Sequence, residues 1–302
     1  MSKSGSSKRG PGQGRSGRAA AGRRSKPQSR GAGRTGRVRP GDAPAPRKPQ
    51  KSLGGEQIEG RQAVRELLLA ERRKVHEVWI SGELEGSDAV DDIVAIANAN
   101  RVPVIKVARK KLEAAARSEA PQGVLALAAP LPEADLDRYL RRKGGRAPFV
   151  VAVDGVTDPG NLGAIIRSCD GAGVDVVVLP RHRAVHVTPT VAKASAGAIE
   201  HVPIAVVSGL PSALQRMRDA GVWVVGLDDA ADRTLFDLDE LAVEPVCVVL
   251  GAEGAGLSRL VRERCDVVVG IPMLGRVSSL NVSAAAALTT YEIRRHRLAE
   301  RE

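Results

Sequence analysis

The sequence predicts an α/β fold whose carboxyl-terminal part is built on a mostly parallel β-sheet. Two observations support this prediction. Five short apolar runs rich in Val lack the polar alternation of a strand with one face in water, so both faces should be covered by helices. Segments with helical periodicity separate these runs, as the connections between parallel strands require. The runs are residues 149–153, 174–179, 222–227, 245–250 and 267–271.

A smaller α/β domain is expected at residues 53–129, ahead of the parallel sheet. Proline, glycine and a cluster of charges indicate an interdomain linker at residues 130–147. Residues 148–302 then form the second domain. The apolar spacing of the smaller domain predicts helices over residues 58–68 and 88–98, and strands over residues 75–80, 102–107 and 123–127.

Residues 1–52 are predicted to be a disordered basic tail, because they contain almost nothing that a core could bury. Residues 1–51 hold fifteen Lys and Arg but one acid, Asp42, so this segment has a net charge of +14. The whole chain has a net charge of +11. The other 251 residues therefore carry −3, from 31 basic and 34 acidic side chains. Charge of a single sign suits contact with the phosphates of RNA. A solubilising tail without a partner is the alternative.

Several classes of protein are excluded by simple features of the sequence. No apolar stretch approaches the roughly 18 residues of a membrane span, and no secretory signal is present. Cys169, Cys247 and Cys265 form no CxxC pair, so we expect reduced core thiols in a cytoplasmic protein. His182 and His186 have metal-pair spacing, but no third ligand lies nearby. We expect no membrane and no metal.

The first candidate motif runs from residue 154 to residue 167, at the end of a predicted strand. Ligands of open parallel sheets bind beyond the carboxyl ends of the strands. A helix should begin near Pro159, with Asp158 as its N-terminal cap. Asn161 and Arg167 are six residues apart and need not share a helix face. A well-capped helix with a surface arginine is the alternative interpretation.

The second motif, residues 250–258, follows another buried strand and contains three glycines. Gly251, Gly254 and Gly256 permit close approach of the backbone to a ligand. Their GxxGxG spacing differs from the GxGxxG motif of dinucleotide-binding proteins, and no GxxxxGK[ST] motif is present. Glu253 in this loop could contact a ligand or cap the next helix.

The third motif, residues 271–283, joins the last predicted strand to a long final helix over residues 283–301. Small polar side chains, among them Ser279 and Asn281, cluster here between apolar neighbours. Such a cluster suits amide and hydroxyl contacts to a bound molecule. The alternative is that Ser279 simply caps the final helix.

Together, the three motifs resemble those of the SpoU (TrmH-like) RNA 2′-O-ribose methyltransferases of the SPOUT superfamily. Asn161 with Arg167, then LGAEGAGLS, then IPMLGRVSSLNVSAAAAL occur in the order of that family, over about residues 150–295. Residues 53–128 resemble the family's amino-terminal substrate-binding domain, of the L30e/L7Ae-like type. The two-domain arrangement is most similar to the family members that methylate a guanosine of bacterial 23S rRNA.

The resemblance implies a cofactor, a chain topology and an oligomeric state. S-adenosylmethionine would bind in a carboxyl-terminal trefoil knot, in a pocket lined by Gly251, Gly254, Ile271 and Leu280. The partner would be RNA, in the form of 23S rRNA or a ribosomal precursor. The protein would be a homodimer whose active site is completed across the interface, and the final helix would contribute to that contact.

The resemblance also implies roles for five side chains. Arg167 would act at the ribose hydroxyl. A guanidinium with a pKa above about 12 is a poor general base, so stabilising a developing alkoxide or holding a phosphate is easier. Asn161 would orient Arg167 or the ribose, and Glu253 would anchor the loop. Ser279 and Asn281 would contact the substrate or the methionine part of the cofactor.

One departure from the family pattern and several alternatives stay open. Gly160 stands where relatives often carry His or Arg, which would shift RNA contact to Arg181, Arg183 or the tail. The basic clusters at residues 72–74 and 109–111 are typical of solvated faces but could hold RNA. The same chemistry could act on tRNA or on a thiopeptide-resistance site of rRNA. The last alternative is a non-catalytic RNA-binding protein of ribosome assembly.

Overall fold

The computed structural model describes residues 53–84, 86–141, 144–182 and 187–300 of the chain. The predicted tail, residues 1–52, lies outside the described residues, as do Arg183 and His186. Within the described part, two β-sheets are each packed against helices.

The first sheet has four strands in the order β1-β4-β2-β3. Its pairs β1/β4 and β4/β2 are antiparallel, whereas β2/β3 is parallel. The elements in chain order are β1 (Gln57–Glu59), α1 (Arg61–Ala70), β2 (Val75–Ser81), α2 (Asp88–Ala99), β3 (Val104–Val107), α3 (Arg109–Ala115) and β4 (Val124–Ala128).

The second sheet has seven strands in the order β7-β6-β5-β10-β8-β11-β9, and every pair is parallel. Its central strand β10 is buried along its whole length, as the unbroken apolar run predicts. The elements are β5 (Phe149–Val153), α4 (Pro159–Ala172), β6 (Val176–Pro180), α5 (Pro189–Ala194), β7 (Ile204–Val207), α6 (Leu210–Asp219), β8 (Trp223–Leu227), β9 (Arg233–Thr234), α7 (Asp239–Val243), β10 (Val246–Leu250), α8 (Arg259–Arg262), β11 (Val267–Gly270) and α9 (Val282–Ala299).

The predicted α/β class is confirmed, and all five apolar runs of the second half form strands, namely β5, β6, β8, β10 and β11. Two strands of this sheet, β7 and β9, were not predicted. The helix predicted from residue 58 is wrong at its start, because Gln57–Glu59 form a strand paired with β4. Gly60 adopts a φ of 98°, which turns the chain before α1 begins at Arg61.

The two sheets and their helices share buried contacts, whereas two separate domains would each have a core of their own. One hydrophobic cluster includes Leu67 of α1 and Leu162 of α4. Four apolar side chains of the predicted linker are buried: Leu131, Leu136, Leu140 and Ala147. The domain boundaries themselves stay a prediction, but residues 130–147 pack against the fold along much of their length.

Arg73 lies at the centre of the contact between the sheets, so its assignment to a solvated basic face is wrong. Its side chain is 3% exposed and forms an ion pair with Glu200, which is 1% exposed. The Arg73 guanidinium also donates to the carbonyl oxygens of Gly55 and Ala129. Arg72 donates to the Glu200 carbonyl at 2.7 Å. The basic residues 109–111, by contrast, are exposed as expected.

Among the described residues, no helix combines the length and apolar character needed to cross a membrane.

Candidate functional site

The carboxyl ends of β8, β10 and β11 border a cavity of about 190 Å³. These strands are neighbours in the sheet, so the loops that follow them meet at one edge. This is the position where open parallel sheets bind ligands. The cavity is lined by Leu227, Asp228, Asp229, Leu250, Gly251, Ala252, Glu253, Gly254, Ala255, Gly256, Ile271, Met273, Ser278, Ser279, Leu280, Val282 and Ala285.

The amino-terminal end of α4 brings the first motif to this edge. The Asp158 carboxylate accepts a hydrogen bond from the backbone N–H of Asn161 at 2.6 Å, which confirms Asp158 as the cap. Pro159 occupies the first helical position, where its missing N–H removes no hydrogen bond. The cap fixes the position of Asn161 within the first turn of α4.

Three polar side chains, one from each motif, are joined by hydrogen bonds. One carboxylate oxygen of Glu253 accepts from the amide of Asn161 at 2.7 Å and from the amide of Asn281 at 2.8 Å. The Asn281 amide also donates to the Asn161 carbonyl oxygen at 3.0 Å. Motifs separated by up to 120 residues are therefore linked at the rim of the cavity.

Asn281, not Ser279, caps the final helix α9. The Asn281 side-chain oxygen accepts from the backbone N–H of Ser283 at 2.9 Å and from its hydroxyl at 2.6 Å. The alternative role of Ser279 as a cap is therefore wrong. Asn281 is the cap because it directly precedes the first helical residue, where a side-chain oxygen reaches the free N–H groups. Ser279 lines the cavity instead.

The glycine-rich loop after β10 folds back on itself. Backbone groups of Ala252 and Gly256 exchange hydrogen bonds of 3.0 and 2.9 Å. A Cβ on Gly251 would lie 2.3 Å from the Gly256 carbonyl carbon, so no larger residue fits there. Gly254 has a φ of 72°, a conformation that favours glycine. The loop therefore brings backbone groups, together with the Glu253 side chain, to one wall of the cavity.

All four residues predicted to bind a cofactor line this cavity, namely Gly251, Gly254, Ile271 and Leu280. Of the five residues predicted to be catalytic, Glu253 and Ser279 also line it. Asn161 and Asn281 do not, but both bond to Glu253 at its rim. Their chemical roles stay predictions.

Arg167 is the one predicted site residue that the chain does not bring to the cavity. It is exposed on α4 and does not line the cavity. Arg167 lies six positions after Asn161 on α4. In an α-helix this spacing corresponds to a rise of about 9 Å and a rotation of one full turn plus about 240°, so the two side chains point in different directions. Among the residues that the structure describes, none forms a hydrogen bond or ion pair with the Arg167 guanidinium.

Part of the cavity wall lies outside the three predicted motifs. Leu227, Asp228 and Asp229 line it from the end of β8. A signal for these residues was available, since they end or follow the apolar run at residues 222–227. The same strand-end argument that selected the other motifs would have selected this one.

The three thiols are unsuited to nucleophilic chemistry. Cys169 and Cys247 are buried, and this burial raises the pKa of each thiol far above its usual range. Burial and the nearby Asp266 carboxylate raise the pKa of Cys265 to about 12. All three are therefore protonated at neutral pH, as expected of core thiols.

Two further expectations concern RNA contact and metal ions. Arg181, predicted to take over RNA contact, forms an ion pair with Glu133 at 3.1 Å. Its guanidinium is thus already engaged, although about a third of the side chain is exposed. Within the described ranges, no group of three or more His, Cys, Asp or Glu side chains is arranged to hold a metal ion.

Comparisons with known proteins cover both sheets. Residues 148–291 match the SpoU rRNA methylase family. Residues 57–134 match a domain described as RNA 2′-O ribose methyltransferase substrate binding. The two matches include every motif discussed above, and the first contains the whole cavity.

Individual relatives agree with these matches. A protein of the TrmH tRNA/rRNA methyltransferase family from Staphylococcus haemolyticus is 40% identical over 242 residues, 80% of this chain and 95% of that protein. The 23S rRNA (guanosine-2′-O-)-methyltransferase RlmB of Pseudomonas syringae is 38% identical over 250 residues, 82% of this chain and 98% of RlmB.

Solved structures extend the likeness to the fold. The SpoU methyltransferase AviRb from Streptomyces viridochromogenes, solved in complex with the cofactor AdoMet, has a TM-score of 0.68 and 30% identity. That likeness covers 80% of this chain and 90% of AviRb. The chain belongs to the SpoU/TrmH family of RNA methyltransferases.

Proposed function

We propose that this protein transfers a methyl group from S-adenosylmethionine to a ribose 2′-hydroxyl of RNA, with a guanosine of 23S rRNA as its target. One observation carries the proposal. Three motifs, separated in the chain, converge on a single cavity and are tied together by Asn161, Glu253 and Asn281. The guanosine target is supported by the likeness to RlmB along nearly its full length.

The residues of the cavity fit S-adenosylmethionine. That molecule combines a flat, mostly apolar adenine ring with a positively charged sulfur and amino group. Leu227, Ile271 and Leu280 supply apolar walls, while Asp229 and Glu253 supply negative charge. Because Gly251 has no side chain, the loop can fold back on Gly256 and bring its backbone to the cavity. The AdoMet bound to AviRb supports the same assignment.

When bound, S-adenosylmethionine supplies a methyl group on a positively charged sulfur. The protein must then hold the ribose oxygen in line with that methyl and stabilise the negative charge that develops on the oxygen. Arg167 is suited to the second task, because arginine supplies a positive charge and this guanidinium has no partner among the described residues. Asn161 and Asn281 hold the loop of Glu253, and Ser279 contacts the substrate or cofactor.

The position of Arg167 supports a homodimer whose active sites are shared between subunits. Arg167 and Gly171 lie one helical turn apart on α4, and the Tyr291 hydroxyl of α9 lies beside Gly171. Tyr291 is 52% exposed and Leu288, one turn before it, is 50% exposed. We take this exposed face of α9 as the surface through which two subunits would meet. In a dimer formed through α4 and α9, Arg167 of one subunit would reach the cavity of the other.

The trefoil knot and the RNA-binding parts belong to the same proposal. The knot would be formed by the second and third motifs, residues 250–258 and 271–283, and residues of both motifs line the cavity. Residues 57–134 would bind the RNA, as the matched substrate-binding domain suggests. The basic tail would add contacts to phosphates. The enzyme would act in the cytoplasm, where ribosomal RNA is made and assembled.

Mass-spectrometric mapping of ribose methylation tests this proposal. RNA is isolated from cells with the protein, from cells without it, and from the latter complemented with Arg167→Ala. We expect one 23S rRNA guanosine to lose its 2′-O-methyl group without the protein and to stay unmethylated with the variant. A lost methyl group in tRNA would favour the alternative substrate. Unchanged methylation of all RNA would refute the enzymatic proposal.

A further inference from the structure

A second cavity, of about 290 Å³, opens in the first sheet, away from the motifs discussed above. It lies at the carboxyl ends of the parallel strands β2 and β3. Ser81 is the last residue of β2, Arg109 begins the helix that follows β3, and Gly123 directly precedes β4. The geometry is the same kind of strand-end position as that of the main cavity.

The positive and negative side chains that line this cavity are equal in number. The Arg109 guanidinium pairs with the Glu83 carboxylate at 3.2 Å and with the Glu113 carboxylate at 2.7 Å. The Arg61 side chain donates to the carbonyl oxygen of Gln122 at 3.3 Å. The lining thus carries two guanidinium groups and two carboxylates, and both carboxylates pair with Arg109. A phosphate would be repelled by the carboxylates, whereas a neutral group with both donors and acceptors could bond to either sign.

Beside these charged groups, the cavity lining includes apolar side chains and one buried hydroxyl. Leu84, Leu112 and Pro121 supply apolar walls. Ser81 is 2% exposed, and its hydroxyl oxygen has no hydrogen-bond partner among the residues that the structure describes. A buried hydroxyl without a partner destabilises the folded protein, so it stands out as a group that a ligand could satisfy.

We propose that this cavity holds one unpaired nucleobase of the substrate RNA, with an edge of the base hydrogen-bonded to the Ser81 hydroxyl. A nucleobase is flat and largely apolar on its faces, neutral, and carries donors and acceptors on its edge. Proteins that recognise RNA by sequence read such unstacked bases. The inference rests on the proposed function, since it assumes that the domain matched at residues 57–134 binds RNA.

Two matched substitutions test the site in the full-length protein. Ser81→Ala removes the hydroxyl from the cavity. Ser87→Ala removes the other buried hydroxyl that lacks a partner among the described residues, at the start of α2 and outside the cavity. The probes are a fluorescein-labelled single-stranded RNA of mixed sequence and its fully paired duplex, measured by anisotropy over a range of salt concentrations.

We expect Ser81→Ala to weaken binding of the single strand about fivefold, the effect of one hydrogen bond, and to leave duplex binding unchanged. Ser87→Ala should leave both affinities unchanged. Neither substitution should lower the melting temperature, because each removes an unsatisfied group. The slope of affinity against salt should not change with Ser81→Ala, since no phosphate contact is lost.

Two results would overturn the inference. Equal affinities of Ser81→Ala and the unaltered protein for the single strand would make the cavity irrelevant to RNA. A weaker affinity with a flatter salt slope would indicate a phosphate site instead of a base site. Methyl transfer by the unaltered protein is measured separately. Failure of that reaction, with the Ser81→Ala effect intact, would refute the proposed activity but not the base site.

Discussion

The Glu253 carboxylate accepts hydrogen bonds from two amide groups, those of Asn161 and Asn281, which lie 120 residues apart in the chain. Three residues that the sequence singled out in separate motifs are thus parts of one network. Such a network is sensitive to the removal of any member, because the remaining polar groups lose partners. It also fixes the start of α9, since Asn281 is both a member and the helix cap.

Gly251 provides the sharpest test among single residues. A Cβ at this position would lie 2.3 Å from the Gly256 carbonyl carbon, so Gly251→Ala must displace the loop. We expect the variant to stay folded and to lose at least tenfold in affinity for S-adenosylmethionine, about 1.4 kcal/mol, measured by calorimetry. Gly275→Ala is the control, because a Cβ there meets no atom within 4 Å. Equal affinities of the two variants would contradict the placement of the cofactor.

What the sequence could predict at this scale was the identity of the cavity residues, not the partners of each side chain. Gly251, Ile271 and Leu280 follow from position at strand ends and from motif resemblance. The pairing of Arg73 with Glu200 could not be predicted, because 127 residues separate them and neither stands in a motif. Arg73 looked like one of several surface cations until its burial was known.

Among the secondary-structure elements, the long Val-rich strands were the most predictable. Burial on both faces leaves a pattern that only a central parallel strand requires. Strand β9 escaped prediction because it has only two residues, too few for a pattern. Strand β7, Ile204–Val207, is a short apolar run that was not recognised as a strand. Strand β1 escaped because its apolar residue continues the helical spacing of α1, and Gly60 alone marks the break.

If two subunits meet through helices α4 and α9, each active site combines the cavity of one subunit with Arg167 of the other. Arg167→Ala leaves the cavity intact, while Gly251→Ala leaves Arg167 intact. If sites are shared between subunits, mixing the two inactive variants and allowing exchange should restore about a quarter of the normal methyl transfer, from heterodimers with one complete site. Transfer is measured with labelled S-adenosylmethionine and ribosomal RNA.

The control for this experiment separates dimer formation from catalysis. Leu288→Glu places a charge on the exposed face of α9 and should yield monomers in light scattering, without methyl transfer. No recovery of activity on mixing, despite exchange of subunits, would mean that each subunit acts with its own Arg167.

At the scale of the whole molecule, a buried ion pair holds the two sheets together. Removing one member leaves the other charge buried and unpaired, so Glu200→Ala should lower the free energy of unfolding by about 3–5 kcal/mol. Urea denaturation measures this change. The double variant Arg73→Met/Glu200→Leu should recover much of the loss. A loss below about 1 kcal/mol, the range of exposed pairs, would contradict the assigned role.

The charge distribution of the whole chain leads to a prediction about RNA affinity. Residues 1–51 carry +14, whereas the rest of the chain carries −3. Deletion of residues 1–51 should therefore weaken RNA binding most at low salt and flatten the dependence of affinity on salt. Titrations of ribosomal RNA at several salt concentrations measure both effects. An unchanged slope would show that the tail takes no part in binding.

Methyl transfer in vitro tests the central claim most directly. The purified protein is incubated with ribosomal RNA and S-adenosylmethionine carrying a labelled methyl group, and the RNA is digested to locate the label. We predict that the label resides on a ribose 2′-oxygen and that Arg167→Ala reduces its incorporation at least a hundredfold, within the range expected for loss of a group that stabilises developing charge. Label on a base, or undiminished transfer by Arg167→Ala, would contradict the account.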